Sequence, residues 1–144
     1  MKNLWPDAFE ENSQPSAKNL LEEQAKLLIK LTNGIVYAEV SELGKIEAIA
    51  SSLKNDFLFR FDICGKFLEG YHFNVLKFSH DITLYPIKFR LDEQIAAELG
   101  VKQSAVGVFF VEIDSPDKLE EFIARVLRSE RVSRVVGSII RLSK

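Results

Sequence analysis

Between residues 57 and 63 the chain places Phe57, Phe59, Phe61 and Ile63 at every second position, with Leu58, Arg60 and Asp62 between them. Successive side chains point to opposite sides only in an extended chain, so this run specifies a half-buried β-strand. Gly65 to Gly70 makes a turn, after which Tyr71, Phe73, Val75 and Lys77 alternate with His72, Asn74, Leu76 and Phe78. A third run follows Ser79, His80 and Asp81 and continues through Ile82, Leu84, Tyr85, Ile87 and Phe89. Pro86 interrupts it, which predicts an edge strand or a bulge, because proline cannot donate to a ladder. Connections this short leave no room for a helical crossover, so the three strands are expected to be antiparallel neighbours. Eleven of the 144 residues are phenylalanine, and most lie in this region. Such a stripe reads as a core face, with an aromatic-walled ligand pocket as the alternative.

The flanks carry helical periodicity. Ser16 suits a helix cap, and Ala17, Leu20, Leu21, Leu27, Leu28 and Leu31 mark one face of a helix that ends at Asn33 and Gly34. Residues 35–43 are β-branched and lie between Gly34 and Gly44, as a strand would. Residues 45–54 fit either a helix turn (Ile46, Ile49, Leu53) or a strand (Ile46, Ala48, Ala50). Gly44 tips the expectation towards a strand hairpinned on the one before it. Asp92 caps a short helix through Ile95, Ala96 and Leu99, closed by Gly100. Ala105 to Ile113 is a continuous apolar run and predicts a central strand buried on both faces. Ser115 and Pro116 then open a helix carrying Leu119, Phe122, Ile123, Val126 and Leu127. Over 131–142 the β-branched content argues for a strand. The adjacent pairs Val135-Val136 and Ile139-Ile140 defeat alternation, and a second helix is expected.

The order predicts an α+β fold: an antiparallel sheet of about five strands, with an N-terminal helix and two C-terminal helices packed mainly on one face. Residues 15–144 form a single domain, preceded by an irregular segment, 1–14. Within that segment Leu4, Trp5 and Phe9 are too apolar for a solvated tail. Trp5 is expected to pin the segment to its own core, the alternative being a docking site for another chain.

Chemistry is sparse. The net charge of −2 gives no pull towards nucleic acid, and no apolar stretch is long enough for a membrane span or resembles a secretory signal. The cytoplasm is the expected compartment. Cys64 is the one cysteine and reads as an apolar filler, since its sequence neighbours offer no base. His72 and His80 stand eight residues apart, roughly 26 Å if the strand is extended, too far to share a metal. His80, Asp81 and Tyr85 are the candidates for a pocket rim, although His80 and Asp81 point to opposite sides of an extended segment. Asp56, Asp62, Glu120 and Glu121 are taken as surface residues. No phosphate-binding loop is present, and neither metal nor cofactor is expected.

Arg125, Arg128, Arg131 and Arg134, with Arg141 and Lys144 beyond them, make the C-terminal region basic. If the chain stays helical their i+3 spacing gives a stripe suited to an acidic protein or to phosphates. No aromatic residue interleaves it for base stacking, which disfavours nucleic acid. The expected function is a non-enzymatic intracellular protein-interaction module or assembly subunit, meeting a protein partner or a second copy. The alternatives are a small-molecule-binding domain or enzyme with an aromatic pocket near His80, Asp81 and Tyr85, and nucleic-acid binding through the basic helices.

Overall fold

A computed structural model describes residues 1–144. The elements run α1 (Ala17–Leu31), β1 (Val36–Glu42), α2 (Lys45–Ser51), β2 (Phe57–Gly65), β3 (Leu68–His80), β4 (Ile87–Leu91), α3 (Glu93–Leu99), β5 (Phe110–Ile113), α4 (Pro116–Leu127) and α5 (Glu130–Leu142). The five strands form one antiparallel sheet in the order β1-β2-β3-β4-β5, so the fold is α+β as the sequence implies. The expected caps are in place. Ser16, Asp92 and Ser115 each accept a backbone N–H of the first turn, and Gly100 closes α3 in the left-handed conformation at φ 73°. Each such side-chain cap stabilises its helix by about 1 kcal/mol.

Register explains the phenylalanines. Phe59 lies opposite Phe78, and Phe78 opposite Phe89, so three strands bring their rings into one row across the sheet. Ring centroids are 5.2 Å apart for Phe59–Phe78, 5.7 Å for Phe78–Phe89 and 4.8 Å for Phe89–Phe122, which carries the row up into α4. The rings fill the space between sheet and helices, together with Leu21, Leu119, Val126, Val132 and Ile139. At the far edge of this layer α5 crosses β2 so closely that a Cβ on Gly65 would stand 2.7 Å from Ile139 Cγ2. Glycine is therefore needed there for space.

The opposite face of the sheet is polar. Arg60, Lys77 and Arg90 stand directly across from one another on β2, β3 and β4. Like charges in register repel, and α2 supplies the answer. Glu47 pairs with Arg60, and the carbonyls of Ala50 and Ser51 at the helix end accept Arg90 Nη1 at 3.0 and 2.8 Å. Residues 45–51 are thus a helix and not the expected hairpin strand, because the sheet's cations hold a carboxylate and a carbonyl end against it. The helix turns its polar side inward, leaving Ile46 and Ile49 86% and 82% exposed. Asp62, taken as a surface residue from sequence, is buried on this face and accepts Arg60 Nε, Arg60 Nη2 and Asn74 Nδ2 at 2.7, 3.0 and 2.9 Å.

Lys77 has no carboxylate partner in this row; its ammonium donates to Asn74 Oδ1 at 3.2 Å. Burial lowers its pKa; Glu47 and Asp62 pull upward against Arg60 and Arg90, and the net shift stays downward. A lowered lysine pKa means that the charged form disfavours the fold, so stability rises as pH climbs from the folded pKa towards the unfolded one. Lys77→Met should accordingly melt a few degrees higher than wild type at neutral pH. The gap should narrow as pH rises through that window. A lower melting temperature at neutral pH would show that the Asn74 bond outweighs the burial.

Three further expectations change. Of residues 105–113 only Phe110–Ile113 is a strand, at the sheet edge and not buried on both faces. Its one neighbour, β4, is five residues long and pairs with just these four. The chain before it makes a tight turn, with an Ala105–Val108 bridge and Gly107 at φ 73°. Pro86 lies before β4, which is an interior strand and not an edge. On α1 the buried side is Ala17, Leu21 and Ala25, whereas Leu27 and Leu31, expected on the core face, are exposed.

Candidate interaction groove

Each sequence-derived candidate has a defined place; they form no single site, although Arg131 and Arg134 line one pocket. The His80 ring is buried against Phe57 and Phe59, with centroid distances of 5.5 and 6.1 Å, and its Nδ1 is 2.7 Å from the Asp81 carbonyl oxygen. Asp81 accepts Asn55 Nδ2 and the Asp56 N–H at 3.3 and 3.4 Å, while Ser79 Oγ donates to Asn55 Oδ1 at 2.6 Å. These residues fasten the α2–β2 loop. Tyr85 Oη donates to the Pro15 carbonyl at 2.7 Å and so holds the start of α1; partial burial raises the phenol's pKa and keeps the donor proton in place. No shared pocket joins the three, and the row Phe59, Phe78 and Phe89 is itself buried in the core.

His72 and His80 sit at different points of β3, and no group of three or more His, Cys, Asp or Glu side chains is placed to hold a metal. Cys64 does have a base nearby, which its sequence neighbours hid: strand pairing sets His72 across from it, with Nδ1 3.9 Å from Sγ. Burial and then the Glu39 charge raise the thiol's pKa, so it stays protonated at neutral pH. Iodoacetamide should label Cys64 at the rate at which the chain opens, following a urea titration of the fold. Rapid labelling of the native chain would contradict the filler role.

The arginines do not line up, because the helix breaks at Arg128 and restarts with Ser129 as the cap of α5. Arg125 Nη2 donates to the Leu99 carbonyl at 3.2 Å. Arg131 lies over the Phe73 ring, 4.9 Å from its centroid, and faces Asp92 at 3.7 Å. Arg134 pairs with Glu130 one turn away at 2.7 Å. Arg131 and Arg134 also line a pocket with Leu68, Tyr71 and Leu142, and Arg128 stands on the wall of a separate groove beside α1. Trp5 is not pinned to the core as expected: it is 73% exposed and packs edge-on to Phe9 at 5.9 Å.

That groove was not visible in the sequence. It runs along α1 past Leu20, Gln24, Leu27 and Leu31, with Ile123, Leu127 and Arg128 of α4 opposite. Val132 and Val136 of α5 wall the Leu31 end, and Phe61 and Ile63 of β2 form the floor. The deeper end encloses about 210 Å3, and Gln24 is its one polar lining residue. It exists because α1 packs chiefly on β1 while α4 and α5 contact α3 and one another, leaving a seam between the two helical groups. Leu31, 81% exposed, forms its lip.

No helix is long and apolar enough to cross a membrane. Compared with protein-family models, curated proteins and solved structures, the chain finds no match in any of the three.

Proposed function

We propose that this chain is a non-enzymatic, intracellular protein-interaction module whose groove between α1 and the α4–α5 corner receives an apolar segment of a partner protein. The observation that carries this reading is the groove itself, where Leu27, Leu31, Leu127 and Val136 line an opening over an apolar floor. An amphipathic segment laid into such a seam buries its apolar face at spacings of one helical turn. The fitting partner presents leucine- or phenylalanine-sized side chains at that spacing, with an acidic flank to meet Arg128. Glu120, about two turns before Arg128 on the same wall, favours a basic residue there.

The test uses Leu31→Asp and Leu127→Asp. Leu31 lies on the lip, so its substitution should shift stability by no more than about 0.5 kcal/mol. Each should weaken a purified stoichiometric partner by about 30-fold or more, as loss of a central apolar anchor does. Unchanged binding by both folded variants would sink the reading.

A further inference from the structure

A second surface points to a second occupant. On the polar side of the sheet a cleft of about 630 Å3 opens between α2 and the β4–β5 edge, lined by Ile49, Lys54, Pro86, Lys88 and Phe110, with Glu112 its one acid. Its size falls within the roughly 300–1,000 Å3 of sites that take a body of a few rings. Ser52 and Asn55 complete a mostly polar lining in which Lys54 and Lys88 outweigh Glu112, the cross-strand neighbour of Lys88. Lys88 Nζ sits 4.4 Å over the centre of the Phe110 ring. Segment 1–14 has the complementary make-up. Leu4, Trp5 and Phe9 are exposed, and Asp7, Glu10 and Glu11 lie among and beside them, against Lys2 alone. On its own chain the segment is not seated: Trp5 and Phe9 stay largely exposed and pack edge-on against each other.

We infer that the 1–14 segment of one copy docks its Trp5 and Phe9 into the cleft between α2 and β4–β5 of a second copy, and that the exchange is reciprocal. The segment leaves the domain at Pro15, which Tyr85 holds, and the next residue, Pro86, lines the cleft. Donor and acceptor therefore lie side by side on the surface. That is what a two-fold interface requires, because both exchanges must fit within one self-complementary patch. Ten residues from Pro15 to Trp5 reach roughly 33 Å when extended, ample to cross to a neighbour. Two tryptophans and two phenylalanines at roughly 150–250 Å2 each bring roughly 600–1,000 Å2. The cleft walls they cover lose a comparable area, so the total passes the roughly 1,200 Å2 of a stable interface. Ile49 of α2 lines the cleft, and Ile46, one turn away on the same helix, is exposed. The inference uses a different surface from the α1 groove and stands or falls separately.

Trp5 is the one tryptophan, so its fluorescence reports the segment alone. Over a wide dilution series of the full chain, emission and molar mass are measured together. The expected result is twice the chain mass with blue-shifted emission at high concentration, both reverting together on dilution. Trp5→Ala should weaken the dimer by about 30-fold or more, as loss of a central aromatic anchor does. Lys88→Glu should weaken it too, with Glu10→Lys and Glu11→Lys in the same chain restoring part of the loss. Circular dichroism confirms that each variant is folded. Blue-shifted emission from a monomer at every dilution would overturn the inference in favour of docking on the same chain. A monomer with solvent-exposed emission at high concentration would overturn it, as would a dimer that survives Trp5→Ala.

Discussion

Phe78→Ala should cost about 3–5 kcal/mol of unfolding free energy, the range for removing a fully buried phenylalanine. Phe78 is completely buried in the middle of the ring row, between Phe59 and Phe89. Its loss opens a cavity bounded by two strands, whose backbone ladders resist collapse, so relaxation recovers little. Because Phe89 also supports Phe122 on α4, the vacancy loosens the seat of the C-terminal helices. Equilibrium denaturation with urea checks this, and a loss below about 1.5 kcal/mol would mean the row repacks around the gap.

Asp62→Ala should cost about 3 kcal/mol, the lower end of the range for breaking a buried ion pair. The carboxylate is nearly buried and accepts three hydrogen bonds, two from Arg60 and one from Asn74. Removing it leaves Asn74 without one acceptor and returns part of the Arg60 charge to the row with Lys77 and Arg90. Glu47 still holds Arg60, and the guanidinium keeps about a quarter of its exposure, which is why the loss stays at the lower end. Glu47→Ala removes a more exposed partner and should cost about 1 kcal/mol or less. If the two variants proved equally destabilising, Asp62 would not be the organising charge of that face. Thermal and urea unfolding measure both.

These two residues also mark what the sequence could and could not disclose. The strand carrying Phe59 and Asp62 is legible because alternation is a local property of the chain. So are the caps at Ser16, Asp92 and Ser115, each set by residues within one turn. The second C-terminal helix follows from the adjacent Val135 and Val136. What escaped depends on distant partners. Residues 45–51 become a helix through Arg60 and Arg90, which lie 13 residues from Glu47 and 39 and 40 residues from Ser51 and Ala50. Its exposed isoleucines run against the usual rule that apolar residues mark the buried side. The edge strand is short because β4 is short, and that length is set by Pro86 at one end and Asp92 at the other.

The groove escaped for a similar reason. Leu27 and Leu31 sit at core-like spacing on α1, yet α1 leans on β1 and leaves them facing the seam. One local clue existed, since the apolar arc of α1 is wider than the Ala17, Leu21 and Ala25 stripe that meets the sheet. The arginine stripe failed on one overlooked cap. Ser129 followed by Glu130 carries the signature of a new helix start and ends the i+3 register at Arg128.

The proposed docking of a partner in the seam between α1 and the α4–α5 corner can be read by hydrogen exchange of the chain with and without its purified stoichiometric partner. That docking predicts added protection over 24–31 and 123–136, lost with Leu127→Asp. Protection confined to α2, β5 or residues 1–14, or none at a saturating partner concentration, would contradict it.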